Sequence, residues 1–375
     1  MHIDDLLRIA VERKASDLHL KVGGHPVLRI DGELALLTEL PRLAAEQVLD
    51  LAFSMMTNRQ KQKLRECAEL DLAYGVAGLG RFRVNIFQQR GNIGIVLRVI
   101  PTAIRPFAEL FLPPVIETIA DEPRGLVLVT GITGAGKSTT LASIIDHINS
   151  TRRQHIVTIE DPIEFLHRDK QSMVNQREVA VDTASFAAAL RASLRQDPDV
   201  ILVGEMRDLE TIATALLAAE TGHLVFSTLH TLDAVETVNR IVAVFPPAER
   251  NQVRMQLAAT LRAIVSQRLV RRSDAAGRVP AVEVMINTPY VQECILAPER
   301  TRQIRDAIAA GTSQYGMQTF DQSLYDLYRR GLISEATALE AASKPDEFRL
   351  RLQGISSTLD EARAQMQSAG FTQEK

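Results

Sequence analysis

The chain has 375 residues, enough for two domains of ordinary size, with 43 Lys+Arg against 46 Asp+Glu and a formal net charge of -3. A hydrophobic share of 46% and a charged share of 24% suit a soluble chain with a large core and give no basic excess that a nucleic-acid partner would require. No apolar run approaches the ~20 residues of a membrane-spanning helix. The opening Met1-His2-Ile3-Asp4-Asp5 lacks a signal peptide's basic start, and two distant cysteines, Cys67 and Cys294, build neither a disulfide framework nor a cysteine-rich zinc site, so the expected compartment is the cytosol.

In chain order, Asp17-Leu-His-Leu-Lys-Val22 alternates polar and apolar residues as a half-buried strand does. Pro26 to Gly32 followed by Glu33 to Leu37 reads as a hairpin about Asp31-Gly32. Helical spacing follows over Leu43–Met55 and over Asn58–Cys67, the second with Thr57 placed to cap it. Strands are predicted at 70–74, 81–89 and 93–100, so residues 1–100 form a small α+β domain with a mostly antiparallel sheet. Pro101, Pro106, Pro113 and Pro114 cannot share one helix or central strand. They mark 101–114 as a linker, with a short helix from Val115 to Ala120. From Gly125 the pattern changes to short, wholly apolar strands at 126–130, 156–159, 200–203 and 224–228. They alternate with helices at about 137–149, 183–195, 208–221 and 233–243. That alternation is the mark of a parallel sheet buried on both faces. Val282–Ile286 adds an edge strand and closes an α/β core over 115–290. Residues 291–354 read as a helical region (about 301–309, 318–330, 334–342 and 345–352), and 355–375 as a polar, disordered tail.

The strongest chemical signal is Gly131-Ile-Thr-Gly-Ala-Gly136-Lys137-Ser138-Thr139, which fits G-x-x-x-x-G-K-[ST] between a buried strand and a helix. Glycines let backbone N–H groups converge on phosphate oxygens, and a helix N-terminus favours negative charge. Gly131, Thr133, Gly134, Ala135, Gly136, Lys137, Ser138 and Thr139 are therefore the candidate nucleotide-binding residues. Lys137 reaches the β- and γ-phosphates, and Ser138 ligates magnesium. Asp199-Val-Ile-Leu-Val-Gly-Glu205 delivers Glu205 to the carboxyl end of an apolar strand, where a carboxylate holds magnesium through water. In Thr158-Ile-Glu160-Asp161-Pro162-Ile-Glu164, one carboxylate polarises the attacking water and another supports the metal shell, with Glu160 the candidate for the latter. A capped, solvated turn is the equal alternative.

His223 and His230 bracket another strand in Thr221-Gly-His-Leu-Val-Phe-Ser-Thr-Leu-His-Thr231. Their spacing matches no standard zinc set. His230, at the carboxyl end, is placed to sense a γ-phosphate, whereas a structural role suits His223. Arg81 and Arg83 lie on one face of a strand, with Phe82 and Val84 on the other. A solvated basic face and a finger reaching a neighbouring subunit's γ-phosphate both stay open on spacing alone. Arg268, Arg271, Arg272 and Arg278 surround a basic surface loop at 273–277.

Taken together, these motifs closely resemble the type IV pilus retraction ATPases (PilT-like) within the hexameric secretion ATPases. The resemblance runs over nearly the full chain. It includes Ala15-Ser-Asp-Leu-His-Leu, Gly80-Arg-Phe-Arg-Val-Asn, the aspartate box Ile159-Glu-Asp-Pro-Ile-Glu164, Leu194-Arg-Gln-Asp-Pro-Asp-Val and Gly204-Glu-Met-Arg-Asp. It continues through the histidine box and Gly316-Met-Gln-Thr-Phe-Asp-Gln-Ser-Leu.

It implies a PAS-like N-terminal domain and a RecA-like P-loop ATPase domain, α/β with a parallel-rich sheet, in a cytoplasmic homohexamer with ATP and Mg2+ between subunits. Glu164 stands where the family has its catalytic glutamate, Glu205 where it has the Walker B acid, His230 and His223 in the histidine box, and Arg81 and Arg83 at the arginine fingers. The implied work is pilus retraction and twitching motility through an inner-membrane platform protein. It implies a place at the inner membrane without insertion, beside paralogous pilus ATPases. Tyr290-Val-Gln-Glu-Cys-Ile-Leu296 occupies the position of the family's Ala-Ile-Arg-Asn-Leu-Ile retraction motif, which leaves an accessory PilU-like role open. Assembly and type II secretion ATPases resemble the chain less, since two cysteines cannot build their four-cysteine zinc site. Outside the family, a P-loop kinase and a nucleotide-dependent scaffold are the alternatives.

Overall fold

The computed structural model of the chain describes residues 1–30, 32–101 and 103–353. The expected tail at 355–375 lies outside the described residues, as does Asp31 of the hairpin turn. The chain divides into two compact units. One comprises Met1–Ile104, Asp161–Arg168 and Glu178–Asp182; the other comprises Arg105–Glu160, Asp169–Arg177 and the chain from Thr183 on.

The first unit begins with α1 (Ile3–Glu12), capped by His2, whose ring accepts the Asp4 N–H while the Asp5 carboxylate accepts the His2 N–H. Strands β1 (Asp17–Lys21), β2 (Val27–Ile30) and β3 (Glu33–Leu36) follow, then α2 (Ala45–Ser54), α3 (Asn58–Cys67), β4 (Glu69–Val76), β5 (Gly80–Gln89) and β6 (Asn92–Ile100). Thr57 caps α3 as expected, and Ile30 pairs with Glu33 across the predicted hairpin. The sheet order is β3-β2-β1-β6-β5-β4, with antiparallel neighbours throughout. Period-2 alternation decides which face is covered. Leu18, Leu20, Phe82, Val84, Ile86, Ile95 and Leu97 are buried with the apolar stripes of the helices, including Leu6 and Leu51. Arg81 and Arg83, one residue out of phase, project from the other face.

The second unit opens at Arg105, with the part of the proline-rich stretch from there to Pro114. It is packed rather than free, because Leu110 and Leu112 enter the unit's core. Then come α4 (Val115–Ala120), β7 (Gly125–Thr130), α5 (Lys137–Thr151), β8 (His155–Glu160), β9 (Met173–Glu178), α6 (Phe186–Ser193), β10 (Val200–Val203), α7 (Leu209–Glu220), β11 (Leu224–Leu229), α8 (Ala234–Val244), α9 (Arg250–Thr260), β12 (Leu261–Arg271) and β13 (Arg278–Ile286). Helices α10 (Pro289–Leu296), α11 (Ile304–Ala310), α12 (Thr312–Tyr315), α13 (Phe320–Arg329), α14 (Glu335–Ala341) and α15 (Pro345–Leu352) complete the described chain. No described helix is long and apolar enough to cross a membrane.

The sheet order is β13-β12-β7-β11-β10-β8-β9. Strands β12, β7, β11, β10 and β8 run parallel, and β13 turns back antiparallel at the edge. Every residue of β7, β10 and β11 is buried, as continuous apolar strands covered on both faces must be. Strand β12 has no counterpart in the sequence-based expectation. Helix α9 passes straight into it at Leu261 without a turn residue, so no punctuation marks the change of period. The carboxyl-terminal helices close a second cluster, with Phe320, Leu324 and Leu327 against Val270, Val279 and Ala281 of the β12–β13 hairpin.

Phe226 is fully buried in the middle of β11. Phe226→Ala should cost about 3–5 kcal/mol, visible as a lowered thermal midpoint; an unchanged midpoint would contradict the assigned core.

Candidate active site

Parallel strands in register bring their carboxyl ends to one edge of the sheet. Thr130 pairs with Leu229, and Val203 pairs with both Ser227 and Ile159. The next residues are thereby aligned: the loop 131–136 after β7, His230 after β11, Gly204-Glu205 after β10, and Glu160 at the end of β8. The structure therefore brings Lys137, Ser138, Glu205, His230 and Glu160 to one end of the second unit.

The phosphate loop leaves β7 at Gly131, which holds φ +141°. A Cβ there would stand 2.5 Å from the carbonyl oxygen of Gln267 on β12, so a side chain has no room. Beneath the loop, the Gln267 amide and the Thr140 hydroxyl of α5 are hydrogen-bonded at 2.8 Å, and Thr130 donates to Ser266 at 3.0 Å. Lys137 is the first residue of α5 and is buried. Its ammonium donates to the carbonyls of Gly131 at 2.8 Å and Ile132 at 3.0 Å. Burial holds this group below the ordinary lysine value, and the Glu205 carboxylate pulls the other way. Ser138 and Thr133 are exposed on the same loop and helix end.

Glu205 is aimed by local bonds. Gly204 N–H donates to Ile159 O at 2.8 Å, an approach that leaves a Cβ at Gly204 only 3.2 Å from that oxygen. Thr228 donates to Gly204 O at 2.7 Å, and the Met206 N–H to Thr228 O at 3.2 Å. The carboxylate then meets Arg207 at 2.7 Å and His230 Nε2 at 3.4 Å. Glu160 accepts from Thr158 at 2.7 Å and from Gln176 at 3.1 Å.

His223 is placed elsewhere. It precedes β11, at the end where Leu224 pairs with Gly125. Its Nδ1 lies 2.9 Å from Ala218 O, and its backbone carbonyl accepts the Gly125 N–H at 3.0 Å. A full strand, about 20 Å, separates it from the phosphate loop, so within one copy it is a fastening at the opposite edge of the sheet.

Glu164 is exposed and lies on the segment 161–168 that packs with the first unit, unlike Glu160 four residues earlier. The two arginines also part company. Arg81 pairs with buried Glu178 at 3.0 Å, and Glu178 accepts the Ile163 N–H at 3.3 Å, so this ion pair fastens the two excursions of chain onto the first unit. Arg83 is exposed.

One feature has no local signature in the sequence. A cavity of about 420 Å³ adjoins the phosphate loop at Ala135, Gly136 and Thr139, with Phe111, Leu269 and Arg272 among its walls. The Arg272 guanidinium stacks 4.9 Å from the Phe111 ring centre. Its lining comes from 105–112, 135–140 and 267–280, three stretches that only the fold assembles.

The sequence profile of the Type II/IV secretion system protein family matches residues 1–313. The chain belongs to that family. It is 48% identical to the type IV pilus retraction ATPase PilT of Pseudomonas aeruginosa over 93% of this chain and all of that protein. It is 42% identical to the type IV pilus ATPase PilU of the same organism, over 94% of this chain and 91% of that one. A crystal structure of the pilus retraction motor PilT with bound ADP superposes with a TM-score of 0.86 at 48% identity, covering 92% of this chain and 98% of the other. Family membership makes the chain an ATPase.

Arg81→Ala should cost about 1–3 kcal/mol, because it strands a buried carboxylate, whereas Arg83→Ala should stay within about 0.5 kcal/mol of wild type. Thermal unfolding of both variants checks this, and equal effects would refute the division of roles.

Proposed function

We propose that this protein is a motor ATPase of type IV pilus retraction, working as a homohexamer on MgATP. The observation that carries the reading is the alignment of Lys137, Ser138, Glu205 and His230 on one sheet edge, in a chain 48% identical to a retraction ATPase over that protein's full length. The second unit is then a RecA-like ATPase domain and the first a PAS-like domain.

In this reading the nucleotide phosphates lie in the 131–139 loop. Lys137 turns from its carbonyl partners to the phosphates, and its desolvated ammonium gives a strong, water-excluded countercharge. The candidate metal set is Ser138, Glu205 and Glu160, a hydroxyl and two carboxylates, which suits a hard, oxygen-seeking cation. Magnesium, when bound, supplies charge neutralisation on the phosphate oxygens. Glu164 takes the proton of the attacking water, His230 donates toward the γ-phosphate, and Arg83 of a neighbouring copy meets the charge that develops in the transition state. Arg81 shares the finger motif but is engaged with Glu178, and His223 remains a box residue with a fastening role in its own copy. The cavity beside Gly136 has the size and the stacked guanidinium–ring wall to take the adenosine end.

The motor operates in the cytoplasm, reaches the inner membrane through a pilus platform protein, and works beside paralogous pilus ATPases. A second reading, an accessory PilU-like ATPase, is favoured by one feature. The retraction-motif position is helix α10, where Tyr290 and Leu296 are exposed and Val291, Cys294 and Ile295 are buried. A pilus disassembly assay in a strain lacking its retraction ATPase separates the two: restored retraction by this chain alone supports the first, and restoration only alongside a paralogue supports the second.

Lys137→Ala and Glu164→Gln should each lower ATP turnover by at least about 100-fold, and full activity in Glu164→Gln would sink its assignment. Mixing Arg83→Ala with Lys137→Ala subunits should restore part of the turnover lost in each alone if the arginine acts in trans.

A further inference from the structure

The chain after His230 is bonded at every residue. Thr231 is buried, with its hydroxyl 2.6 Å from that of Thr237. The Leu232 N–H donates to the Glu236 carboxylate at 2.8 Å. Asp233 caps α8 by accepting the Glu236 N–H at 2.8 Å, and it pairs with Arg305 of α11 at 3.0 Å. The N–H of Ala234, first in α8, has no partner within the helix. It donates to Glu283 Oε1 at 2.9 Å.

Glu283 reaches that point from the edge strand β13 and is 4% exposed. The register explains how. Glu283 pairs with Ser266, Ser266 with Thr130, and Thr130 with Leu229. One row of residues thus crosses the sheet from Glu283 to the residue before His230, passing the last residue before the phosphate loop. His230 is held from one side by β11 and from the other by the first turn of α8, and Glu283 ties that turn to the same row.

We infer that Glu283 is a positioning residue for turnover: its carboxylate fixes the first turn of α8 and so fixes His230 against Glu205. The inference rests on the proposed part of His230 in hydrolysis.

The electrostatics agree. A carboxylate at a helix N-terminus is favoured when charged. Burial pushes the Glu283 carboxyl up to about 7, the Ala234 N–H draws it down, Asp233 of α8 pushes it up, and Arg305 of α11 and Arg268 of β12 draw it down. Helix α13, which also packs on β13, offers the uncharged Ser323, which accepts the Val282 N–H at 3.0 Å. With the ordinary value at 4.5 and the folded value about 7, this group's contribution to stability is full below 4.5 and is lost as pH rises toward 7. In the folded chain the carboxyl takes on its charge as pH passes about 7, and the bond to α8 strengthens there, because the acceptor gains charge. Stability should therefore fall between about 4.5 and about 7, and turnover should rise as pH passes about 7.

The test compares wild type, Glu283→Gln, Glu283→Ala, His230→Ala and the double variant His230→Ala/Glu283→Gln, all as full chains. Steady-state ATP hydrolysis and thermal unfolding are followed from about pH 5 to about pH 9. Glu283→Gln should lower kcat about 3- to 10-fold with KM within about twofold, and remove both the turnover rise about pH 7 and the part of the stability loss that falls below it. The double variant should be no slower than His230→Ala, because both act through one group. Wild-type kcat and an intact turnover rise in Glu283→Gln, or a double variant slower by the product of the single losses, would overturn the inference. So would wild-type turnover in His230→Ala. Failure of the wider reading is separate, appearing as absent ATP hydrolysis in the wild type itself.

Discussion

The candidate active site depends on one close approach, that of the backbone at Gly131 to the carbonyl of Gln267. Because no Cβ stands between them, β7 stays paired with β12 up to its last residue, Thr130, and the loop after β7 can turn at once into α5. The same glutamine then bonds Thr140 one turn into that helix. Lys137 is brought back over the loop's own carbonyls, in a desolvated position where its charge is least screened. Widening that contact would loosen the loop and the wall of the neighbouring cavity together, since both meet Gln267, and with the loop the carbonyls that hold Lys137.

Much of this architecture was legible in the residues, for a physical reason. A strand covered on both faces has to be apolar throughout, so 126–130, 200–203 and 224–228 announced both their period and their burial. The positions of the 131–136 loop and of Glu205 were legible because each depends on neighbours in sequence, a strand end and the turn that follows it. Strand β12 was not, because the change from helix α9 carries no turn residue and its inner positions include Ser266 and Gln267. The cavity was illegible in principle: its walls come from three distant stretches, and nothing in 105–112 declares that Phe111 will stack with Arg272.

Paired motifs were where sequence proximity misled. His223 and His230 stand in one sequence box, yet an extended strand places its two ends about 20 Å apart, so they lie at opposite edges of the sheet. Arg81 and Arg83 share a face, but an ion pair to Glu178 gives the first a structural duty and leaves the second exposed. Glu160 and Glu164 share an acidic box and fall in different units. In each pair the partner or the path of the backbone decided where the two residues came to lie.

The path of the chain through the two units has a consequence for how such a protein can change over time. The backbone passes from one unit to the other at 104/105, 160/161, 168/169, 177/178 and 182/183. A single recombination event between genes can exchange whatever lies on one side of one junction. Here no single junction separates the units, so a hybrid would carry the first unit of one parent with the 161–168 and 178–182 excursions of the other. Arg81 would then face a foreign Glu178. Lineages of this protein are therefore expected to inherit both units together and to vary by substitution rather than by exchange of modules.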